Sequence, residues 1–399
     1  IMERPYTEAE HERIINFENL EEADQYWYKT IRSYLTILGS WSFQPMWKRV
    51  PIFIVLNIPV FLYTLSGGIL NPIMHWEDGI DIMMSNFLLC ALTASFFGQY
   101  LILFFVAGKF PPLLETLAEV SRSIIDPAER KILSEYAQTA RKMNSILLIS
   151  FMICPTSSFF NPLMSKVGDK LNPLPNNETR EYILVPMEFI FFKQEDHYLF
   201  SSWLATSSGT SNCLAGAFIC CMYILVIKQI CALFKITSSR LRKIVVYGDD
   251  VESPPINSFE QNRQYMKEAV EVHTQAIRMV EQLEDTYTLI VMAFQFTSVA
   301  FLSLSYFYVA KVRGVPLVRH YTEVSLIIGF NAMLLCFNAL GQEVIDVSDD
   351  IFDTAYETEW YSLRPTDRKY ISILLHRSLH PSQLTAGGFS VLSYETFGA

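Results

Sequence analysis

Residues 341–360 read GQEVIDVSDDIFDTAYETEW, and residues 380–397 read HPSQLTAGGFSVLSYETF. The first stretch holds seven carboxylates and no basic residue, and it follows the last of several long apolar segments. Carboxylates are costly in hydrocarbon, so we expect a helix that leaves the membrane here. Its acidic side is either a solvated helix face or a vestibule that concentrates cations.

The composition of the whole chain points the same way. Of its 399 residues, 51% are apolar and only 18% are charged, whereas an average globular chain has about 25% charged residues. The net charge of −10 argues against a nucleic-acid partner. The seven cysteines lie in or beside apolar segments, so no disulfide framework is indicated.

Six segments are apolar enough to cross a bilayer core of ~30 Å, which takes about 20 helical residues. The third is the shortest and contains Pro155, which neighbouring helices can accommodate. The fourth begins with many hydroxyl residues, which we expect to face other helices or a cavity. The six predicted spans are Val50–Leu70, Ile82–Ala107, Asn144–Phe160, Tyr198–Ile227, Thr286–Ala310 and Tyr321–Leu340.

The basic residues predict the orientation. On one side of the predicted membrane lie 24 of the 31 Lys and Arg residues, including the pair Arg141-Lys142, and 7 lie on the other. Because cytoplasmic loops are enriched in Lys and Arg, this places the N-terminus in the cytosol. The N-glycosylation sequon at Asn177 falls on the predicted outer side.

Other protein classes fit less well. A metabotropic seven-helix receptor would have its N-terminus outside, and a transporter would show repeated halves. No nucleotide-binding, hydrolase or metalloprotease motif is present, so we expect no enzyme. His376 and His380 are four residues apart, but Pro381 follows directly. We therefore expect no metal and no cofactor.

The two stretches quoted first resemble the C-terminal region of insect odorant receptors. Residues 231–236, CALFKI, followed by Arg240-Leu241, are similar to the segment after that family's fourth span. The resemblance implies a seven-transmembrane helical bundle and a non-selective cation channel gated by volatile small molecules. It also implies a heterotetramer with a shared co-receptor in the plasma membrane of olfactory sensory neurons. The alternatives are a gustatory-type channel and a metabotropic receptor.

The chain lacks the long insertion that the co-receptor carries between its fourth and fifth spans, so the resemblance implies an odorant-tuning subunit. In this family the ligand lies among the outer halves of the second, third, fourth and sixth spans. Trp203 is the first choice among the contacts. The candidate ligand residues are Met84, Phe87, Ala91, Met152, Thr156, Phe159, Trp203, Thr206, Ser207, Thr210, Tyr321 and Ser325.

The resemblance also divides the chain into four parts. Residues 1–49 form a cytosolic segment, 50–340 the six spans, 341–383 a cytosolic anchor region, and 384–399 the start of a pore-lining seventh helix. We expect this last helix to be incomplete, because the chain ends at Ala399. The residues that match the family's anchor motif are Gly341, Ser348, Tyr356, Trp360, Leu384, Thr385, Ala386 and Gly387.

Overall fold

The computed structural model describes residues 22–41, 44–74, 80–171, 187, 189, 194, 197–244, 258–311 and 317–398. These residues are almost entirely helical. The helices in chain order are α1 (Glu22–Ile37), α2 (Met46–Tyr63), α3 (Asn71–Met74), α4 (Ile80–Val106), α5 (Phe110–Ser123), α6 (Pro127–Leu171), α7 (Tyr198–Leu241), α8 (Phe259–Lys311), α9 (Leu317–Glu357), α10 (Pro365–Ser378) and α11 (Tyr394–Gly398). A π-helical stretch, Thr64–Leu70, continues α2, and short 3₁₀ turns occupy Ala107–Lys109 and Trp360–Ser362.

Four of these helices are longer than a bilayer requires. α6, α7, α8 and α9 have 45, 44, 53 and 41 residues. At about 1.5 Å per residue, each is roughly 60–80 Å long, about twice the ~30 Å hydrocarbon core. These helices therefore extend well beyond a bilayer, and together with α10 they build the region that corresponds to the predicted anchor.

Five helical stretches in the described part of the chain are long and apolar enough to span a membrane. Each overlaps one of the six predicted spans. The predicted third span, Asn144–Phe160, lies within α6 and is not one of these five, so it stays a prediction. The five stretches are Met46–Leu70, Ala91–Leu117, Phe200–Leu241, Phe259–Ala310 and Leu326–Glu357.

The core of the bundle is built around α7. Residues 215–234 of this helix are buried without interruption, and the most apolar window of its span is 100% buried. A helix that is apolar on every side is stable only when other helices surround it. α6, α8, α9, α2 and α4 all pack against α7.

The N-terminal helix α1 also packs on this core. Ile31 and Leu35 are buried, and the Tyr34 ring stacks on Phe218 of α7 with 4.4 Å between ring centroids. The chain then turns at Gly39, which has a φ of +64°. The Gly39 carbonyl accepts a hydrogen bond of 3.1 Å from Arg49 Nε at the start of α2.

The structure corrects the expected start of the seventh helix. We predicted a helix from Leu384, but Thr385–Ala386 (β1) and Ser390–Val391 (β2) form an antiparallel hairpin. Its turn contains Gly387 and Gly388, with φ values of +66° and +74°. Two consecutive residues in the left-handed region are incompatible with a continuing α-helix. Helix resumes only at Tyr394, as α11.

Candidate ligand pocket and anchor

The outer half of α7 presents one buried face towards the bundle. Leu204, Ser208 and Asn212 are 0%, 0% and 7% exposed. They recur every four residues, so they lie on one side of the helix. The Ser208 hydroxyl and the Asn212 amide nitrogen have no hydrogen-bond partner among the described residues. Buried polar atoms are normally paired, so this face is suited to a small hydrogen-bonding ligand.

The predicted hydroxyl residues lie beside this face and are only half-buried. Thr206 Oγ1 donates to the Ser202 carbonyl at 2.8 Å, and Thr210 Oγ1 donates to the Thr206 carbonyl at 2.7 Å. Ser207 donates to the Leu204 carbonyl in the same way, at 3.1 Å. Their hydroxyl protons are thus used within the helix, and only their oxygens remain able to accept a hydrogen bond.

Trp203 lies on the outer surface of the bundle in this structure. Its side chain is 57% exposed. Its ring centroid is 6.1 Å from that of Phe200, which is itself 41% exposed. Trp203 therefore points away from the buried face that carries Ser208 and Asn212, and its role as a ligand contact stays a prediction.

An aromatic layer closes the bundle below this region. At Gly216 a Cβ atom would lie 2.8 Å from the Phe96 ring of α4 and 3.1 Å from the Phe151 ring of α6. Glycine lets both rings press against the α7 backbone. The Phe96 ring is also 5.9 Å from Phe330 of α9, and Phe330 is 4.6 Å from Phe301 of α8. These rings form an apolar floor under the buried face.

The structure places the remaining predicted ligand residues in the expected helices. Ala91 in α4 and Met152 in α6 are half-buried. The other six lie in α4, α6 and α9, but the structure does not describe their side chains. They are Met84, Phe87, Thr156, Phe159, Tyr321 and Ser325. Asn177 lies outside the described residues.

Sequence reasoning missed the polar residues of the buried faces. Ser208 stood among the hydroxyls of the fourth span, but nothing separated it from its neighbours, and Asn212 was not singled out. In α8, Ser298 and Ser305 are both 0% exposed and also lack a partner among the described residues. The detectable signal was periodicity, since these positions recur every four or seven residues along their helices.

Below the floor, Gly341 permits a close backbone contact. A Cβ atom at Gly341 of α9 would lie 2.3 Å from the carbonyl oxygen of Leu392. Leu392 is fully buried, and its N–H donates to the Leu384 carbonyl at 2.9 Å. The segment after the hairpin can therefore cross α9 at this level only because residue 341 has no side chain.

The hairpin itself is held by side chains of α8. Thr385 donates a hydrogen bond to the Glu284 carboxylate. The Gly387 N–H donates to Thr288 Oγ1 at 2.9 Å. Leu384 and Ala386 are 2% and 3% exposed and point into the core. These four motif residues, 384–387, together hold the hairpin against α8.

The rest of the anchor motif divides into buried and exposed positions. Ser348 is 3% exposed, and its oxygen accepts the Ser382 N–H at 2.9 Å. Trp360 is half-buried against the core. Tyr356 is 65% exposed and stacks on Phe352, with 6.3 Å between ring centroids. Ser348 and Trp360 pack within the subunit, whereas Tyr356 is free to contact another chain.

Two ion pairs join α7 to the acidic part of α9. Lys228 Nζ lies 2.6 Å from Glu343, and Lys235 Nζ lies 3.4 Å from Asp350. Lys228 and Lys235 are seven residues apart in α7, and Glu343 and Asp350 are seven residues apart in α9. The two helices therefore run parallel here and stay in register over two turns. Part of the acidic stretch is thus neutralised by α7, while Asp349 and other acidic residues remain exposed.

A second group of ion pairs joins α7 to the start of α6. Arg240 makes two hydrogen bonds to Glu129, of 2.9 and 2.7 Å, and both side chains are buried. Lys243 Nζ donates to Asp126 at 2.7 Å, and this hydrogen bond lowers the pKa of the Asp126 carboxyl. Together these contacts fix the lower end of α7 against α6.

This arrangement of long helices and anchor hairpin corresponds to a known family. The family model described as 7tm Odorant receptor matches residues 80–399. The chain belongs to the 7tm odorant receptor family. The match includes the hairpin and all of the anchor motif residues, and it confirms the family that the C-terminal stretches indicated.

Two curated relatives from Drosophila melanogaster match parts of this receptor. Odorant receptor 22c is 25% identical over 252 residues, which cover 62% of this chain and 61% of the relative. Odorant receptor coreceptor is 24% identical over 137 residues, which cover 34% of this chain and 28% of the relative. The receptor thus aligns with about three-fifths of the first relative's length and with less of the second.

The overall architecture matches solved structures of an odorant receptor. OR5, an insect olfactory receptor from Machilis hrabei, superimposes with a TM-score of 0.66 in its complex with eugenol and of 0.67 in a second structure. Sequence identity is 14% and 12%, and each match covers 94% of this chain and 95% of OR5. The prediction of an all-α, multi-pass membrane protein is confirmed.

Proposed function

We propose that this receptor is the odorant-binding subunit of a ligand-gated, non-selective cation channel for volatile small molecules. It assembles with a shared co-receptor into a heterotetramer in the plasma membrane of olfactory sensory neurons. The observation that carries the proposal is the buried polar face of α7, where the Ser208 hydroxyl and the Asn212 amide nitrogen have no partner among the described residues and lie above an apolar aromatic floor. Such a site favours a small ligand with an apolar body and one hydrogen-bonding group.

A column of aromatic rings offers a physical route from this site to the start of α5. Neighbouring ring centroids are 5.0 to 6.4 Å apart, which is contact distance for aromatic pairs. A ligand that moves the floor would displace a packed column rather than isolated side chains. From the floor downward the column consists of Phe330, Phe294, Phe337, Tyr223, Tyr287 and Phe110.

Assembly with a co-receptor is supported by the anchor region. A curated relative carries the name coreceptor, and it shares 24% identity with this chain over 137 residues. On the anchor, Tyr356, Tyr361 and Ile373 are 65%, 61% and 67% exposed. Exposed aromatic and aliphatic side chains of this kind are typical of protein interfaces.

The other expected partner is membrane lipid, which surrounds the spans. We expect no nucleic-acid partner.

The proposal is tested by whole-cell recording. The receptor is co-expressed with an insect odorant co-receptor and exposed to a panel of volatiles while G-protein signalling is blocked. We expect a fast cation current that requires both subunits. A current that appears only when G-protein signalling is intact would refute the channel proposal in favour of a metabotropic receptor.

Two substitutions then test the site. We expect Ser208→Ala and Asn212→Leu each to shift the dose-response of a hydrogen-bonding odorant by about fivefold, because each removes a bond worth ~1 kcal/mol. Ser303→Ala is the matched control, since the exposed Ser303 hydroxyl donates to the Val299 carbonyl of its own helix at 2.8 Å. Equal shifts in all three variants would contradict the assignment of the site.

A further inference from the structure

A cleft lies between the N-terminal helix α1 and α6, far from the outer half of α7. Its volume is about 420 Å³, within the range of roughly 300–1,000 Å³ that small ligands occupy. Five of its six lining residues carry a hydroxyl, amide or guanidinium group, although apolar atoms make up more of the surface. The lining residues are Thr30, Tyr34, Arg141, Asn144, Ser145 and Leu148.

Asn144 is the unusual residue in this cleft. Its side chain is 2% exposed, and neither Oδ1 nor Nδ2 has a hydrogen-bond partner among the described residues. Burying an amide without partners costs several kcal/mol at most and ~1–3 kcal/mol typically, so a native site normally supplies them. A ligand that satisfies Asn144 must offer both an acceptor for Nδ2 and a donor for Oδ1.

The other lining groups indicate which charge that ligand carries. Arg141 adds a guanidinium, which pairs best with phosphate or carboxylate. Ser145 Oγ donates to the Arg141 carbonyl at 2.9 Å, so its hydroxyl proton is already used. Leu148 is the one aliphatic side chain of the lining. The ligand is therefore an anion that also carries a hydroxyl or ammonium group.

The position of the cleft along α6 indicates where the ligand comes from. From the level of the cleft onward along α6, Ile146, Ile149 and Ile153 are 66%, 66% and 63% exposed, which is typical of a face in contact with lipid chains. Arg141 and Lys142, which precede Asn144 in the sequence, are also exposed. The cleft thus lies where an apolar outer face gives way to basic residues, which is the level of lipid headgroups on the predicted cytosolic side.

We propose that this cleft binds the headgroup of an anionic phospholipid that bears both a phosphate and a hydroxyl or ammonium group. Arg141 and Asn144 Nδ2 hold the phosphate oxygens, and Asn144 Oδ1 accepts from the second group. The acyl chains run along the exposed isoleucines of α6. Because α1 forms the other wall, the bound lipid ties the N-terminal helix to the bundle.

Lipid retention tests the proposal independently of odorant response. The full receptor chain is reconstituted in nanodiscs of phosphatidylcholine with or without phosphatidylserine, then extracted, and native mass spectrometry counts the retained lipids. We expect one phosphatidylserine per chain to be retained selectively. We expect Arg141→Gln and Asn144→Leu each to lower the apparent affinity of the chain for phosphatidylserine about tenfold, since each removes a hydrogen bond to a charged group.

Lys142→Gln is the matched control, because it removes the same charge one residue away from the cleft. It should retain phosphatidylserine like the parent chain. Equal loss in Lys142→Gln and Arg141→Gln would overturn the proposal, because it would show attraction to the basic surface alone. Displacement of the lipid by millimolar inorganic phosphate would also overturn it, in favour of a soluble phosphate ligand.

If Asn144→Leu does not fold, Thr30→Val keeps the proposal open to refutation. This variant alters the α1 wall of the cleft and leaves α6 unchanged. We expect about threefold weaker phosphatidylserine retention, the size of a neutral hydrogen bond worth less than ~1 kcal/mol. Unchanged retention in both Thr30→Val and Arg141→Gln would overturn the site.

Discussion

The anchor hairpin and the outer half of the bundle differ in how some of their polar atoms are hydrogen-bonded. In the anchor, Ser348 and Gly387 bond to defined partners on other segments. In the outer half, Ser208 and Ser298 are both 0% exposed and have no partner among the described residues. Satisfied buried polar groups specify one packing, whereas unsatisfied ones leave room for a ligand. The contrast does not extend along the whole of α7, because Gln229 and Ser238 in its lower part are also buried without a partner among the described residues.

The largest expected effect tests the paired side of this comparison. Arg240→Leu would leave Glu129, whose side chain is 3% exposed, with only Lys243 Nζ, 3.5 Å away, as a cationic partner. Breaking one half of a buried ion pair typically costs ~3–5 kcal/mol. We expect little folded receptor, measured by thermal unfolding and by size-exclusion chromatography in detergent.

Lys235→Leu provides the control for Arg240→Leu. Lys235 and Asp350 are 3.4 Å apart, with side chains 45% and 39% exposed. Exposed pairs contribute only ~0–1 kcal/mol. Similar losses in the two variants would mean that burial does not distinguish the anchor's ion pairs.

The next effect concerns the close approach at Gly341. Gly341→Ala would place a methyl group 2.3 Å from the Leu392 carbonyl, and backbone atoms cannot move aside as a side chain can. Overpacking of this kind costs ~1–3 kcal/mol. At Gly329 in the same helix, a Cβ atom would have no neighbouring atom within 4 Å. Gly329→Ala should therefore be neutral or stabilising. Thermal unfolding of both variants would reveal whether the anchor contact matters.

A smaller effect is expected at the hairpin turn. Gly387 has a φ of +66°, and a Cβ atom there would meet Met292 Sδ. Gly388 has a φ of +74°, but a Cβ atom there would have no neighbouring atom within 4 Å. Left-handed backbone costs a residue with a side chain ~1–2 kcal/mol. We expect Gly387→Ala and Gly388→Ala both to lower the melting temperature, and Gly387→Ala to lower it more. A greater loss in Gly388→Ala would contradict the role of the α8 contact.

The smallest effect on stability is expected at Trp203, which belongs to the outer half. Because its side chain is 57% exposed, Trp203→Ala should change the free energy of unfolding by no more than ~0.5 kcal/mol. Its odorant dose-response is the informative measurement. If the response is unchanged while Ser208→Ala shifts it, Trp203 is not a ligand contact and the buried face of α7 is the site.

The anchor residues were identified through the resemblance to the family, and the structure shows that several of these positions have few substitutes. Gly341 and Gly387 need a missing side chain, and Ser348 needs a small hydroxyl at one point in the helix. Such demands leave residues that can be recognised one by one. The hairpin was still missed, because the pair Gly387-Gly388 was read as the start of a helix rather than as a turn.

The ligand region was harder to predict for a physical reason. Apolar contacts are interchangeable, so aromatic and Met residues on membrane helices look alike whether they face a ligand or a neighbouring helix. Which face of α7 is buried depends on how α6, α8 and α9 pack around it. The fourth span was correctly located, but its inward side, with Ser208 and Asn212, emerges only from the packing.

The continuity of α9 has a mechanical consequence. It is a single helix from Leu317 to Glu357, without a break at Gly341, so its length of roughly 60 Å behaves as a stiff lever. Leu392 crosses this helix at Gly341, about 24 Å from Glu357, so each degree of tilt about the crossing would move Glu357 by about 0.4 Å. A tilt of the outer part of α9 about this crossing would therefore move Asp349 and Tyr356 sideways in the opposite direction.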